Sequence, residues 1–222
     1  MNLYDIHTHN IPESNTIENC EVISILNIYP WDYDSKKEVV NSPNIYFSCG
    51  IHPWYIDEKT FDYQYESLCE IAKHPKCVAI GEIGLDKIKG VDLEIQKQAF
   101  EKQISLAQEL DKPLIIHCVK AWDELIELYK KYKPENSWIV HGFRGNSEQA
   151  HQLIHIGFKL SFGEHFHPNT VKTIPIDSLF VETDTSDISV LSNCQKMSMF
   201  RGVSVEYLSS KVENNVLCAF KM

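Results

Sequence analysis

The sequence lacks the long apolar run that a membrane-spanning helix needs, because no stretch approaches roughly 18 uncharged apolar residues. Its first residues, MNLYDIHTHN, contain neither a basic leader nor a continuous apolar segment. These absences argue against a membrane protein and against a secretory signal. We therefore expect a cytoplasmic protein that does not act at a membrane.

The sequence also lacks any C-x-x-C pair. Its seven cysteines are scattered along the chain at positions 20, 49, 69, 77, 118, 194 and 218. An odd number of cysteines without short spacing argues against a disulfide framework and against a zinc finger. Reduced thiols are expected.

Positive charge is scarce, because 21 basic residues stand against 31 acidic ones and give a net charge of -10. Such a balance lacks the electrostatic footprint of a protein that binds duplex nucleic acid tightly and nonspecifically. Any phosphorylated substrate must therefore be held by local groups. A cluster of metal cations is one way to invert the field inside an acidic protein.

Short apolar runs alternate with helical patterns along the whole chain, and no linker or repeat divides it. This alternation is typical of βα units, and 222 residues are enough for one small (β/α)₈ barrel of TIM type. We predict a single domain over residues 1–222. The predicted strands cover residues 3–8, 22–28, 45–50, 77–82, 114–118, 137–141, 158–161 and 179–183. The clearest predicted helices cover residues 63–73, 93–110, 121–132 and 147–155.

The barrel is expected to be abridged near its N-terminus. Residues 10–21 leave too little chain, with Pro12 among them, for two loops and a full first helix, and residues 34–40 suffice for about two turns. The outer ring should therefore be thin beside the first two strands. A C-terminal helix over residues 204–220 is one candidate to cover this flank, and self-association with a second subunit is the other.

Metal-ligating side chains recur where the predicted strands end. In a parallel barrel these ends form the active-site face, and the i, i+2 spacing of His7 and His9 directs both imidazoles to one side of the first strand. Each residue alone has an ordinary explanation, as a hydrogen-bonded core histidine or a member of an ion pair. Convergence at the ends of five strands favours a metal site. The candidate ligands are His7, His9, Glu82, His117, His141 and Asp184.

Mixed imidazole and carboxylate ligands suit Zn²⁺, Mn²⁺, Co²⁺ or Fe²⁺ better than Ca²⁺, and Mg²⁺ stays open as a further candidate. Six ligands exceed the needs of one tetrahedral ion. Two divalent metal ions that share a bridging carboxylate are the simpler explanation. Glu82, on the fourth of eight strands, is placed to be that bridge.

Taken together, these motifs resemble the TatD family of metal-dependent hydrolases, relatives of the amidohydrolase superfamily that are associated mainly with deoxyribonuclease activity. The resemblance extends over nearly the whole chain, and the order and spacing of its blocks are specific. The blocks are Asp5-Ile6-His7-Thr8-His9, Gly50-Ile51-His52-Pro53, Ile80-Gly81-Glu82-Ile83-Gly84-Leu85-Asp86, Pro113-Leu114-Ile115-Ile116-His117, His141-Gly142-Phe143-Arg144-Gly145 and Glu182-Thr183-Asp184.

The resemblance implies a role for each of these positions. Two ion sites are implied: His7, His9, Glu82 and Asp184 hold one ion, and Glu82, His117 and His141 hold the other. Glu82 and Asp184 are the implied catalytic residues, with Asp184 orienting an attacking water or accepting its proton. His52 is expected either to touch a substrate phosphate or to be structural. Asp86 is expected to fix the loop after the fourth strand.

Two departures from the family pattern affect the substrate site. Where family members often carry an arginine two residues after the strand-five histidine, this chain has Val119 followed by Lys120. Arg144, three residues after His141, is a candidate to compensate, although it could equally be a surface cation. The run Thr185-Ser186-Asp187 and the shortened segments predict a shallow, open site rather than a long polynucleotide groove.

The function that fits best is a divalent-metal-dependent phosphodiesterase or deoxyribonuclease, acting on a single-stranded nucleic-acid end or a small phosphoester. Hydrolysis of an amide or an ester such as an aminoacyl linkage uses the same activated water and is the alternative. The polymerase and histidinol phosphatase type of barrel is disfavoured, because Asn10, Ile11 and Pro12 stand where it usually has an acidic residue. A noncatalytic barrel that serves as a binding module is disfavoured by the presence of all six ligand positions.

Overall fold

The computed structural model of the chain describes residues 1–12 and 14–222. In this part of the chain the strands are β1 Asn2–Thr8, β2 Thr16–Ile17, β3 Cys20–Ile28, β4 Ile45–Cys49, β5 Cys77–Asp86, β6 Leu114–Val119, β7 Trp138–Val140, β8 Lys159–Phe162 and β9 Leu179–Val181. The α-helices are α1 Tyr33–Val40, α2 Phe61–Ile71, α3 Leu93–Glu109, α4 Trp122–Tyr132, α5 Ser147–Ile156, α6 Pro168–Thr173, α7 Val190–Arg201 and α8 Val205–Phe220. Short 3₁₀ turns cover Pro53–Tyr55 and Ile176–Ser178.

The strands form a parallel barrel. Eight of the described strands, β1 and β3 to β9, lie side by side in chain order, and each pairs in parallel with the next. A parallel bridge between Thr8 and Asp184 joins the two ends of this row. The predicted TIM-type (β/α)₈ barrel is therefore confirmed.

The strands are apolar on both faces, as expected when side chains fill the barrel on one side and meet helices on the other. All ten residues of β5 are buried. Outside the barrel, helix starts follow side chains that accept backbone hydrogen bonds, such as Asp92 before α3 and Asn146 before α5.

Among the described residues, no helix has the length and apolar character needed to cross a bilayer.

The abridged flank is confirmed for the residues that the structure describes. Between β1 and β3 there is no helix within residues 9–12 and 14–19, and β2 instead folds back as an antiparallel partner of β3. Glu13, within the predicted short segment, lies outside the described residues.

Helix α8 covers the seam between the first and last strands. The amide of Asn2 donates to Glu213 Oε1 at 2.7 Å, and the amide of Asn215 donates to the Leu179 carbonyl at 2.9 Å. The C-terminal helix therefore packs on part of the predicted bare flank. Self-association stays a prediction.

Two features differ from expectation. Strand β5 continues past Glu82 to Asp86, because Gly84, at φ 142°, allows close approach to the His117 backbone, and because the Gln96 side chain bonds both backbone groups of Asp86.

Helices α6 and α7 were not predicted. In α7 the buried Asn193 bonds the carbonyls of Phe162 and Glu182, so the helix lacks a purely apolar inner face.

Candidate metal centre

The six predicted ligands converge at the carboxyl-terminal mouth of the barrel. His7 lies near the end of β1, Glu82 within β5 and His117 within β6, while His9, His141 and Asp184 stand just beyond β1, β7 and β9. Three groups of side chains bring potential ligand atoms within 4.8 Å of one another. These groups are His7, His141 and Asp184; His7, His9 and Glu82; and His52, Glu82 and His117.

Glu82 stands between two sets of imidazoles and turns one oxygen to each. Its Oε2 lies 3.6 Å from His7 Nε2 and 3.3 Å from His9 Nε2. Its Oε1 lies 3.1 Å from His117 Nδ1 and 2.7 Å from His141 Nε2. A carboxylate with nitrogen ligands around each oxygen has the form of a bridge between two cations.

Asp184 completes the set on the Oε2 side of Glu82. Its Oδ1 lies 3.7 Å from His7 Nε2 and 3.6 Å from His9 Nε2. Its side chain is 30% exposed, against 5% for that of Glu82. Asp184 is thus the carboxylate of this cluster that solvent reaches most easily.

The chemistry of His7 fits a bound cation. The residue is fully buried, and neither ring nitrogen has a hydrogen-bond partner among the described residues. A buried polar atom without a partner is costly. A divalent metal ion would accept the lone pair of His7 Nε2, which faces Glu82 and Asp184. The donor set of imidazole and carboxylate suits the transition metals predicted from the sequence.

Asp86 fixes the tautomer of His117. His117 Nε2 lies 3.0 Å from Asp86 Oδ2, so Nε2 carries the proton and donates it to that oxygen. The Nδ1 atom then presents a lone pair to Glu82 Oε1, and two acceptors at 3.1 Å repel unless a proton or a cation lies with them. A histidine that donates one ring N–H to a carboxylate and turns its other nitrogen toward the site is suited to bind a metal ion.

Asp86 also performs its predicted role. Its Oδ1 accepts the backbone N–H groups of Ile88 and Lys89 at 2.7 and 3.0 Å, and its Oδ2 accepts the indole N–H of Trp54 at 2.6 Å. Burial alone would raise the pKa of Asp86. The hydrogen bonds from His117, Trp54 and these amides lower it by a larger amount, so the net pKa lies below its usual value. One carboxylate therefore orders both the loop after β5 and the ligand on β6.

His52 lies against Glu82. Its Nδ1 accepts the Trp54 backbone N–H at 3.1 Å, so Nε2 is the protonated nitrogen and donates to Glu82 Oε1 at 3.0 Å. Burial lowers the pKa of His52 below its usual value, which matches a neutral ring in this tautomer. In this geometry His52 orients Glu82, and its contact with a substrate phosphate stays a prediction.

Buried charge at this mouth is stabilised by mutual contacts. Burial raises the pKa of Glu82, but the charge of His141 and the hydrogen bonds from His141 and His52 outweigh it, and the net pKa lies well below the usual value. For His141, burial lowers the pKa, while Glu82 and Glu182 raise it well above the usual value. Glu82 is therefore ionised and able to bind cations.

Two supporting residues received no role from the sequence. Glu182 is fully buried, accepts the Gly142 N–H at 2.5 Å and faces His141 Nδ1 at 3.5 Å. Asn27 accepts the Glu82 N–H at 2.7 Å. The available signals were a carboxylate at the end of the apolar run Leu179–Val181 and an amide near the end of another strand, because such polar groups need partners when buried.

The predicted substrate contacts differ in position. Arg144 is exposed and lines a cleft of about 260 Å³ together with Asp184, Glu164 and His165. Lys120 is exposed after β6 and is not among the described residues that line this cleft. Arg144 is thus the better placed of the two cations to meet a substrate bound at Asp184.

Comparison with known proteins identifies the family of the chain. The family described as TatD related DNase matches residues 5–221. The chain belongs to the TatD family. The uncharacterized metal-dependent hydrolase YjjV of Escherichia coli K12 is 33% identical over 159 residues, which span 67% of this chain and 61% of YjjV. The uncharacterized metal-dependent hydrolase YabD of Bacillus subtilis 168 is 32% identical over 194 residues, which span 82% of this chain and 74% of YabD.

Solved structures of TatD proteins share the barrel. The crystal structure of E. coli YjjV, described as a TatD homolog, superimposes with a TM-score of 0.81 at 21% identity, over 99% of this chain and 98% of that one. A hydrolase of the TatD family from Entamoeba histolytica gives 0.79 at 22% identity, over 98% and 97%. At these identities the likeness supports the fold. By sequence, the chain spans about three fifths of the length of YjjV.

Proposed function

We propose that this TatD-family chain is a hydrolase that uses two divalent metal ions to cleave phosphoesters, most specifically the phosphodiester at a single-stranded nucleic-acid end. The observation that carries the proposal is the position of Glu82, which turns one oxygen to His7 and His9 and the other to His117 and His141. A carboxylate shared in this way is the centre of two-ion sites that perform in-line displacement.

The proposed residues divide into two sets around Glu82. His7, His9 and Asp184 would hold one ion with it, and His117 and His141 the other. When bound, such ions lower the pKa of a coordinated water and neutralise charge on phosphoryl oxygens.

Asp184 is suited to manage the proton of the attacking water. Its Oδ1 stays within 3.7 Å of both His7 and His9, and its 30% exposure leaves it accessible from the cleft. Backbone hydrogen bonds from Asp184 N to His7 O and from His9 N to Asp184 O, both 2.9 Å, fix it against β1. A carboxylate carried on a backbone held this firmly can orient a water and take its proton with only side-chain movement.

Arg144 is the group we assign to a non-bridging phosphate oxygen. It lines the same cleft as Asp184 and is free to extend, because it is exposed. A guanidinium binds phosphate oxygens through two parallel hydrogen bonds, which gives orientation as well as attraction. The acidic balance of the whole chain makes this local cation more important.

The test is turnover by purified protein loaded in turn with Zn²⁺, Mn²⁺, Co²⁺ or Mg²⁺. Substrates are a single-stranded oligonucleotide, p-nitrophenyl phosphate and an aminoacyl ester, with metal content measured by elemental analysis. We expect phosphoester turnover, two equivalents of metal in the active form, and loss of both turnover and one equivalent in His117→Ala.

His155→Ala is the matched control, because His155 is exposed on α5 and belongs to none of the groups of potential ligands. Its turnover and metal content should equal those of the wild type. Turnover of the aminoacyl ester alone would reassign the chain to carboxylic ester hydrolysis. Absence of bound metal together with absence of turnover on every substrate would refute the proposal.

A further inference from the structure

Three aromatic side chains stand beside the metal centre. Tyr29 and Trp31 follow β3, and Tyr55 belongs to the turn after β4, so all three lie at the mouth that carries the ligands. The rings of Tyr29 and Trp31 are stacked, with centroids 5.0 Å apart and planes 13° apart. Tyr55 meets both rings edge-on, at 5.1 and 6.0 Å. We call these three residues the aromatic wall.

The wall adjoins the ligands directly. The ring centroid of Tyr29 lies 6.2 Å from that of His9, and the centroid of Tyr55 lies 5.7 Å from that of His52. A group bound at the metal centre therefore lies about as far from the wall as a nucleotide's phosphate lies from its base.

Two of the three rings of the wall are exposed, and Tyr29 behind them is half-buried. Trp31 is 44% exposed and Tyr55 is 46% exposed, whereas most large apolar side chains of the barrel are buried. Exposed aromatic rings that are already stacked lose little conformational entropy when a flat ligand joins them. The combination is typical of a stacking platform for an unpaired base.

Charge on either side of the metal centre orients such a ligand. Beyond Trp31 lies a groove of about 590 Å³ lined by Asp34, Glu66 and Glu70, which would repel a continuing phosphate backbone. Arg144 follows β7, which lies four places from β3 in the ring of eight parallel strands and thus across the barrel. We expect a nucleic-acid chain to leave the site toward Arg144, where one cation stands beside Glu164 and Asp184, rather than along a groove whose charged lining is wholly acidic.

We propose that the aromatic wall binds the base of a terminal nucleotide whose phosphate lies at the metal centre. The inference rests on the proposed phosphoester chemistry and adds the position and identity of the group next to the scissile bond. It makes the substrate an unpaired nucleotide end, with its base on Trp31 and Tyr55 and the remaining chain directed toward Arg144.

The test compares two ligands that differ only in the base. Binding of adenosine 5′-monophosphate and of ribose 5-phosphate to the metal-loaded protein is measured by calorimetry, and the ligands are checked afterwards for integrity. We expect Trp31→Ala to weaken binding of the nucleotide by about 5- to 150-fold, because this is the range for loss of one stacked base. Binding of ribose 5-phosphate should not change, and Trp31→Phe should restore part of the nucleotide affinity.

Tyr207→Ala is the matched control, because Tyr207 is 49% exposed and lies on α8. It should leave both affinities unchanged. Equal loss for both ligands in Trp31→Ala, or a nucleotide affinity no better than that of ribose 5-phosphate, would overturn the inference while leaving phosphoester turnover intact. Conversely, nucleotide binding that depends on Trp31 but comes without any turnover would support base binding by the aromatic wall and refute the proposed phosphoester hydrolysis.

Discussion

The metal centre has two sides that are held in different ways. Around Glu82 Oε1, on the side of β5 and β6, the contacts from His52, His117 and His141 are 2.7–3.1 Å. Around Glu82 Oε2, on the side of β1 and β9, the corresponding contacts of His7 and His9 are 3.3–3.6 Å. We call these the β5 side and the β1 side.

The difference lies in what supports the imidazoles. On the β5 side, His117 is fixed by Asp86 and His52 by the Trp54 backbone. On the β1 side, neither nitrogen of His7 has a hydrogen-bond partner among the described residues. The protein itself therefore orders His117 and His52 on one side, whereas a cation would satisfy the Nε2 atom of His7 on the other side.

The largest effect is expected from Glu82→Gln, which removes the charge that both sides share. If Glu82 bridges two ions as proposed, its loss should exceed the about 10–100-fold effect of an outer residue, so turnover should fall more than about 100-fold and metal binding should fail on both sides. Elemental analysis and kinetics with each metal measure this. Glu127→Gln, at an exposed position on α4, is the control. Retention of one full equivalent of metal would show that the two sides are independent.

Asp86→Asn should act on the β5 side alone. Because an amide cannot match the carboxylate as an acceptor for His117 Nε2, we expect a loss of about 10–100-fold in activity or in affinity for one of two ions. Stepwise metal titration separates the two sites. Asp62→Asn, which alters an exposed pair with Lys102, should have no such effect. Equal weakening of both ions would contradict the division into sides.

Removal of metal by a chelator should loosen the β1 side more than the β5 side. At a free metal concentration about 1,000 times the Kd, each bound ion contributes about 4 kcal/mol, so the loss of two ions should lower the Tm by about 16–32 °C. Hydrogen exchange should rise more at the carboxyl ends of β1 and β9 than at those of β5 and β6. A uniform rise across all four strands would disagree with the comparison.

The smallest effect is expected from Ser48→Ala. The Ser48 hydroxyl donates to Asn27 Oδ1 at 3.3 Å, and the same oxygen accepts the Glu82 N–H at 2.7 Å. Loss of the hydroxyl should cost about 1 kcal/mol of unfolding free energy, or about 2–4 °C in Tm, with turnover unchanged because the bond to Glu82 remains. Thermal unfolding and kinetics of the same preparation measure both. A large loss of turnover would mean that Asn27 needs both contacts to hold Glu82.

The sequence predicted the barrel and the convergence of its ligands because both follow from local pattern. Each of His7, Glu82 and His117 lies in or beside an apolar run, and in a parallel barrel such runs end at one mouth. The predicted helices agree with the structure to within a few residues wherever their inner faces are apolar, as in α3 and α4.

The features that the sequence did not predict depend on contacts between residues that are far apart in the chain. The role of Asp86 toward His117 arises because β5 runs on past Glu82, and this needs both Gly84 and the Gln96 side chain. Helix α7 was missed because Asn193 is buried for its hydrogen bonds to backbone carbonyls, which apolar periodicity does not detect. The aromatic wall joins the ends of two strands, and its stacking becomes visible only in three dimensions.

The backbone bridge between Thr8 and Asp184 has a consequence for how the chain matures. These residues are 176 positions apart, yet their contact closes the barrel and places Asp184 beside His7 and His9. A chain still emerging from the ribosome would carry both histidines long before Asp184 is made. Because this distant contact must form against the entropy of closing a long loop, completion of the β1-side cation site should coincide with completion of the barrel. Capture of metal on that side would then report that the barrel has closed.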